Sequence, residues 1–367
     1  MKRQGIMTNQ RSGRAVIDDL LHGELRKNLK RDLNELYHFY VNDAERERLS
    51  KMRRGRRLFY LTVWLLRSLF MKLNPTRRIL LLLSFFFLFS ENWQWSSKRV
   101  EVNINLAALS FLIILLILML ELKDKLLAFD ELEAGRKVQQ ALMPHFIPEI
   151  AGWSIWLYTR PANDVGGDLV DYMDYDGNKF GFAIGDVAGK GLGAALLMSK
   201  LQSSLRALAY RENSLCDLGR HLNEIFCRDS LPEKFASLLY IVLRPGENRI
   251  KLLNAGHYPP ILLSNGTAKT LPRGGPALGI LKSSVYVEQS LEMSNGDILV
   301  AYSDGVTESR NSEGEFYGDQ RLISKLLDLD SSTATELGKG VLQSVEMFLG
   351  DERPNDDLSL VVIKKLG

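Results

Sequence analysis

The spacing of hydrophobic and polar positions changes character several times along the chain. Residues 15 to 50 carry Leu25, Leu29, Leu33, Leu36 and Tyr40 at helical steps among charges, the pattern of an amphipathic helix. Residues 58 to 66 (LFYLTVWLL) are apolar but run into Arg67, Lys72, Arg77 and Arg78, and read as an interfacial helix. Ile79 to Ser90 is then twelve residues without a charge, and residues 102 to 120 are nineteen more. At 1.5 Å of rise per residue the second run covers about 28 Å, close to a hydrocarbon core of about 30 Å, whereas the first covers about 18 Å. Carried on through Trp93 and Trp95 the first reaches about 25 Å, with tryptophans where an interfacial belt would have them. Residues 79 to 121 are therefore predicted to hold two transmembrane helices. A helical stripe through Leu122, Leu126, Phe129 and Leu132 continues to Pro144, giving a connector over 122 to 150.

From residue 153 the period shortens to that of strands, at 154 to 160, 168 to 174, 179 to 187, 235 to 243, 249 to 254, 297 to 303 and 357 to 363. Helical periodicity returns at 191 to 211, 214 to 229, 320 to 328 and 333 to 349. Strands in runs and helices in pairs predict an α+β unit over 151 to 367 with a mostly antiparallel sheet.

Composition narrows this further. With 46% hydrophobic and 25% charged residues the chain is not disordered, and Cys216 and Cys227 alone make neither a disulfide framework nor a metal knuckle. The net charge of +3 hides an asymmetry: residues 51 to 78 hold nine Lys or Arg and no acid. Beside an apolar hairpin this points to anionic lipid rather than nucleic acid. It also puts the basic side in the cytoplasm, and two spans return the chain there. The expected location is thus a multi-pass inner-membrane protein with its C-terminal unit cytoplasmic.

Four aspartates stand where strands meet turns: Asp168 after Gly166 and Gly167, Asp186 in IGDVAGKG, Asp304 in YSDG and Asp356 in NDDLS. Any one Asp-Gly can be a simple turn. If the four converge, however, their repulsion must be relieved by protons or cations, and all-oxygen donors suit magnesium or manganese. Two such ions can lower the pKa of a bridging water and orient it for in-line attack on phosphorus.

The blocks QQALMP (139 to 144), VGGDLVDY (165 to 172), IGDVAGKGLGAALLM (184 to 198), NAGHYPP (254 to 260), YSDGVTES (302 to 309) and NDDLSLVVI (355 to 363) resemble, in order and spacing, the metal-dependent protein phosphatases of the 2C class. The similarity is to the bacterial branch typified by SpoIIE and RsbU, over about residues 131 to 365. The resemblance implies an α-β-β-α sandwich and a phosphoserine or phosphothreonine protein substrate, such as an anti-sigma-factor antagonist. It implies two Mn2+ or Mg2+ ions bridged by Asp186, with the Val187 carbonyl as a further ligand, Asp168 in support, and Asp304 and Asp356 completing the other side. Asp171 and Asp357 are acidic neighbours outside this set, and His257 has a structural rather than a catalytic part. The branch also implies a homodimer, and a switch in which the connector and the helices at 191 to 229 order the metal site.

Asp164 replaces a Glu frequent in relatives, and no arginine stands in a phosphate-clamping motif. Gly166-Gly167-Asp168 is also found in nucleotide cyclases, but Leu169 and Val170 follow where those need acidic and aromatic residues. Gly185 to Gly191 lacks the Ser or Thr and one spacer of a phosphate-binding loop. The serious rival is a catalytically silent, membrane-bound phosphatase-like interaction protein, which would be expected to have lost its metal aspartates.

Overall fold

The computed structural model describes Leu49, Met52 and residues 54–367, apart from 91–92, 98–99, 145–148, 213, 230–233 and 331. The helix expected within 15 to 50 lies outside the described residues. The chain divides into two compact units, Met1–Leu126 and Leu127–Gly367.

In the first unit, α1 (Arg54–Lys72) is followed by α2 (Pro75–Phe89), β1 (Trp93–Ser97), β2 (Val100–Ile104) and the start of the long α3 (Leu106–Leu142). Pro75 opens α2 where a missing N–H costs nothing. Two expectations are corrected here. The first apolar helix does not run on through Trp93 and Trp95: Ser90 is extended, and WQWSS pairs antiparallel with VEVNI in a hairpin. The alternation of apolar and polar residues in both segments is that of strands. At fifteen residues, α2 covers about 22 Å and is short for a span. The second apolar run loses residues 102 to 104 to β2. Among the described residues one helix, α3, is long and apolar enough to cross a membrane. Arg77, at the start of α2, joins Glu121 (2.6 Å) and Asp124 (2.5 Å) on α3.

The second unit is a four-layer sandwich. One sheet has the order β10-β7-β6-β5-β4 (Glu288–Glu292, Arg249–Ala255, Ala236–Leu243, Lys179–Val187, Leu169–Tyr175). The other has β3-β12-β11-β8-β9 (Trp153–Arg160, Leu358–Lys365, Ile298–Tyr302, Ile261–Ser264, Thr267–Thr270). Every pairing between neighbouring strands is antiparallel. The central strands are apolar on both faces because both are buried. On β12, Val361 and Ile363 meet Phe182, Ile184 and Ile241 between the sheets. Leu358, Leu360 and Val362 face the other way, onto α7 (Gly318–Asp328) and α8 (Ala334–Leu349). On the first sheet, Leu238 and Tyr240 turn outward to Met198, Leu201 and Leu205 of α4 (Leu192–Ala209) and Leu222 and Phe226 of α5 (Leu215–Asp229). A one-residue slip of any central strand would exchange these two cores.

Candidate functional site

The register of the strands gathers the four aspartates at one end. Leu169 pairs with Gly185, so Asp168 before β4 and Asp186 near the end of β5 are neighbours. Tyr302 pairs with Leu360, which puts Asp304, first residue of the short α6 (Asp304–Thr307), beside Asp356 ahead of β12. The two sheets are pinned together at this end by Asp357. Its Oδ1 accepts from the Ala162 N–H (2.8 Å), and its Oδ2 from those of Gly167 (2.7 Å) and Asp168 (3.2 Å). Gly305 lies against the Asp357 carbonyl, leaving no room for a Cβ.

The electrostatics follow from this crowding. Asp168 is 2% exposed, and burial, with Asp186 and Asp357 adding to it, raises its carboxyl well above the usual range. Nearby Ser359 and Ser303 oppose this, while their hydroxyl protons go to Thr159 Oγ1 and the Asp357 carbonyl. Asp168 Oδ2 is left buried with no hydrogen-bond partner. Asp186 is pushed up to about 7, by burial first and then by Asp304 and Asp356. Burial also raises Asp304, with Asp356 and Glu308 contributing and the Gly305 N–H and Lys190 offsetting.

A buried, unpartnered carboxylate oxygen among mutually repelling carboxylates is a donor set that fits a hard divalent cation. Gly167 makes the approach possible: a Cβ there would sit 3.3 Å from the Val187 carbonyl oxygen and 3.4 Å from Asp186 Oδ1. Among the described residues, no three His, Cys, Asp or Glu side chains stand close enough together to hold one ion. Asp168, Asp186, Asp304 and Asp356 thus share one end of the sandwich and one electrostatic neighbourhood without being drawn into a shell.

Other residues near the site have defined structural parts. Asp171 is fully buried and held at 2.7 Å by both Nε and Nη2 of Arg206. His257 is 2% exposed, and burial lowers it to about 4, so it is neutral at ordinary pH. Its Nδ1 is 2.9 Å from Ser237 Oγ, which accepts the Asp186 N–H at 3.2 Å. The hydrogen bond between the neutral imidazole and Ser237 Oγ steadies the strand pairing that carries Asp186. Sequence reasoning missed Ser237, which the β5–β6 register sets directly opposite Asp186. It also left Gln139 without a role within QQALMP. That side chain donates to the Gly166 carbonyl (2.7 Å) and accepts the Gly166 N–H (3.1 Å), so α3 holds the glycine loop before Asp168.

The similarities to known proteins agree with this architecture. The chain is 28% identical over 238 residues to the phosphoserine phosphatase RsbU of Bacillus subtilis, covering 64% of this chain and 70% of that one. It is 29% identical over 261 residues to protein IcfG of Synechocystis, covering 64% and 41% respectively. It therefore spans less than half the length of IcfG. In fold it resembles the SiaA-PP2C domain of Pseudomonas aeruginosa, with a TM-score of 0.55 at 17% identity over 66% of this chain and 98% of that one. It likewise resembles the PP2C phosphatase domain, with a regulatory fragment, of SpoIIE from Bacillus subtilis, with a TM-score of 0.52 at 19% identity over 58% and 62%. Residues 176–366 match the family model of stage II sporulation protein E, and the chain belongs to the SpoIIE family.

Proposed function

We propose that the chain is a metal-dependent phosphoserine or phosphothreonine protein phosphatase, anchored at a membrane and acting in a bacterial signalling or sigma-factor pathway. The observation that carries this reading is the convergence of Asp168, Asp186, Asp304 and Asp356 at one end of the sandwich, with Asp168 Oδ2 buried and unpartnered. Asp186 and the Val187 carbonyl, with Asp168 in support and Asp304 and Asp356 opposite, would hold two Mn2+ or Mg2+ ions. When bound, these would neutralise the carboxylates and supply an activated water for attack on phosphorus. Asp357 and Gln139 keep the loop before Asp168 in place, and Ser237 orients the Asp186 backbone. His257, buried and neutral, acts through Ser237 and not on substrate.

A phosphoprotein such as an anti-sigma-factor antagonist fits as substrate, in keeping with the similarity to RsbU. Membrane attachment would run through α3. The pairing of Arg77 with Glu121 and Asp124 supports the start of α2 and the polar end of α3's apolar stretch emerging on one side, the side of the basic residues. That side would be cytoplasmic and would carry the catalytic unit.

The test is hydrolysis of a phosphoserine peptide by the full chain, with and without Mn2+, beside Asp186→Asn and Asp304→Asn. Manganese-dependent turnover abolished in both variants is expected. A silent interaction protein would turn over nothing, and its partner binding would survive Asp304→Asn.

A further inference from the structure

The Gly185 to Gly191 segment carries one charged side chain that the phosphatase reading does not use. Lys190 Nζ lies 2.8 Å from Asp356 Oδ2 and donates to the Asn355 carbonyl at 2.7 Å. It is also near enough to Asp304 to oppose the upward push of that carboxyl's neighbours. The lysine is presented between Gly189 (φ +117°) and Gly191 (φ +69°), a backbone path that only glycines follow readily. Both of its contacts are oxygens of the 355–356 turn, and the side chain is 58% exposed, so the ammonium regains water easily when it leaves.

An ammonium seated on one carboxylate and close to a second, where both are proposed to serve the same ion, stands in the surroundings of a cation. We infer that Lys190 is a built-in counter-cation that competes with a divalent ion for Asp356 and thereby sets the affinity of that position. The inference rests on the two-ion reading of Asp186, Asp304 and Asp356. A carboxylate oxygen engaged by the ammonium offers the ion one lone pair fewer, and two cations on one carboxylate repel. The ion must displace Lys190 or bind beside it. Either way the lysine weakens binding, so that the site fills only when the metal is plentiful or the 355–356 turn is drawn away.

The test titrates the full chain with Mn2+ by calorimetry, with free ion counted by electron paramagnetic resonance, for the wild type, Lys190→Met and Lys190→Arg. Lys190→Met should bind the weaker ion roughly two- to tenfold more tightly, the range expected for removing one solvent-exposed charge beside the ion. Lys190→Arg should stay close to the wild type. In EDTA the melting temperature of Lys190→Met should differ little, because an exposed ion pair contributes little to folding. Equal or weaker Mn2+ binding by Lys190→Met overturns the inference. So does a raised KM for phosphopeptide with unchanged Mn2+ affinity, which would make Lys190 a contact for the substrate phosphate. Absence of Mn2+ binding in all three proteins would instead remove the two-ion reading itself.

Discussion

Gln139 and Gly166, 27 residues apart, exchange two hydrogen bonds through one side-chain amide, and both partners are buried. This ties the connector helix to the loop that leads into Asp168. Gln139→Ala removes both bonds and leaves a buried N–H and carbonyl unpaired, at a cost of about 2 kcal/mol. Gln139→Glu keeps an acceptor for the N–H but sets a carboxylate against the carbonyl. Both variants should unfold at lower urea and need more Mn2+ for half-maximal turnover. Wild-type Mn2+ dependence in Gln139→Ala would mean that the clamp serves the fold alone.

Asp357 holds three backbone N–H groups that have no other acceptor among the contacts described. Asp357→Ala should cost on the order of 3 to 5 kcal/mol, since hydrogen bonds to a charged acceptor are lost and buried donors are orphaned. Asp357→Asn should be intermediate, because its amide can accept through one atom only. Urea denaturation of the two variants ranks them.

His257 gives stability a pH dependence of known sign. Its folded value is lowered to about 4, against about 6.5 in the unfolded chain. Between those values the unfolded state binds more protons. The contribution of His257 is therefore complete above pH 6.5 and is lost as pH falls toward 4, with a span of about 3 kcal/mol. The difference in unfolding free energy between the wild type and His257→Gln, followed from pH 7.5 to 4.5, should shrink as the pH drops.

Asp186 acts in the opposite direction. Its carboxyl is raised to about 7, so without metal the folded state takes up a proton that the unfolded state releases. Metal-free protein should lose stability from this group as pH rises from about 4 to 7, and Mn2+ should reverse the loss. Calorimetry at pH 6 in buffers of different ionisation enthalpy should detect protons released on Mn2+ binding. Asp186→Asn should release fewer.

The core strands were readable as short, largely apolar runs bounded by turn residues: residues 179 to 187 stand as expected, and β12 (Leu358–Lys365) begins one residue later and ends two later than expected. The β8–β9 hairpin was missed although its turn was written in the chain. Asn265 and Gly266 both have positive φ, as a two-residue Asn-Gly turn requires. β10 was missed because EQSLE, at the edge of its sheet, has little apolar signal. The order of the strands brings the four aspartates to one end; their spacing alone left that open, and it was the family resemblance that implied it. Ser237 and Lys190 were not legible as parts of the site, because their places depend on strand register and on a side chain folding back across 165 residues.

The acceptor role of Asp357 has a consequence for biosynthesis. Its three donors lie 195, 190 and 189 residues earlier in the chain. While the ribosome is still making the intervening segment, the glycine loop before Asp168 has Gln139 but lacks Asp357, and the first sheet can form without a usable centre. Contacts of such long range are slow to close. A nascent chain of this protein should therefore be dephosphorylation-incompetent until β12 has left the exit tunnel and docked, however well its earlier strands have folded.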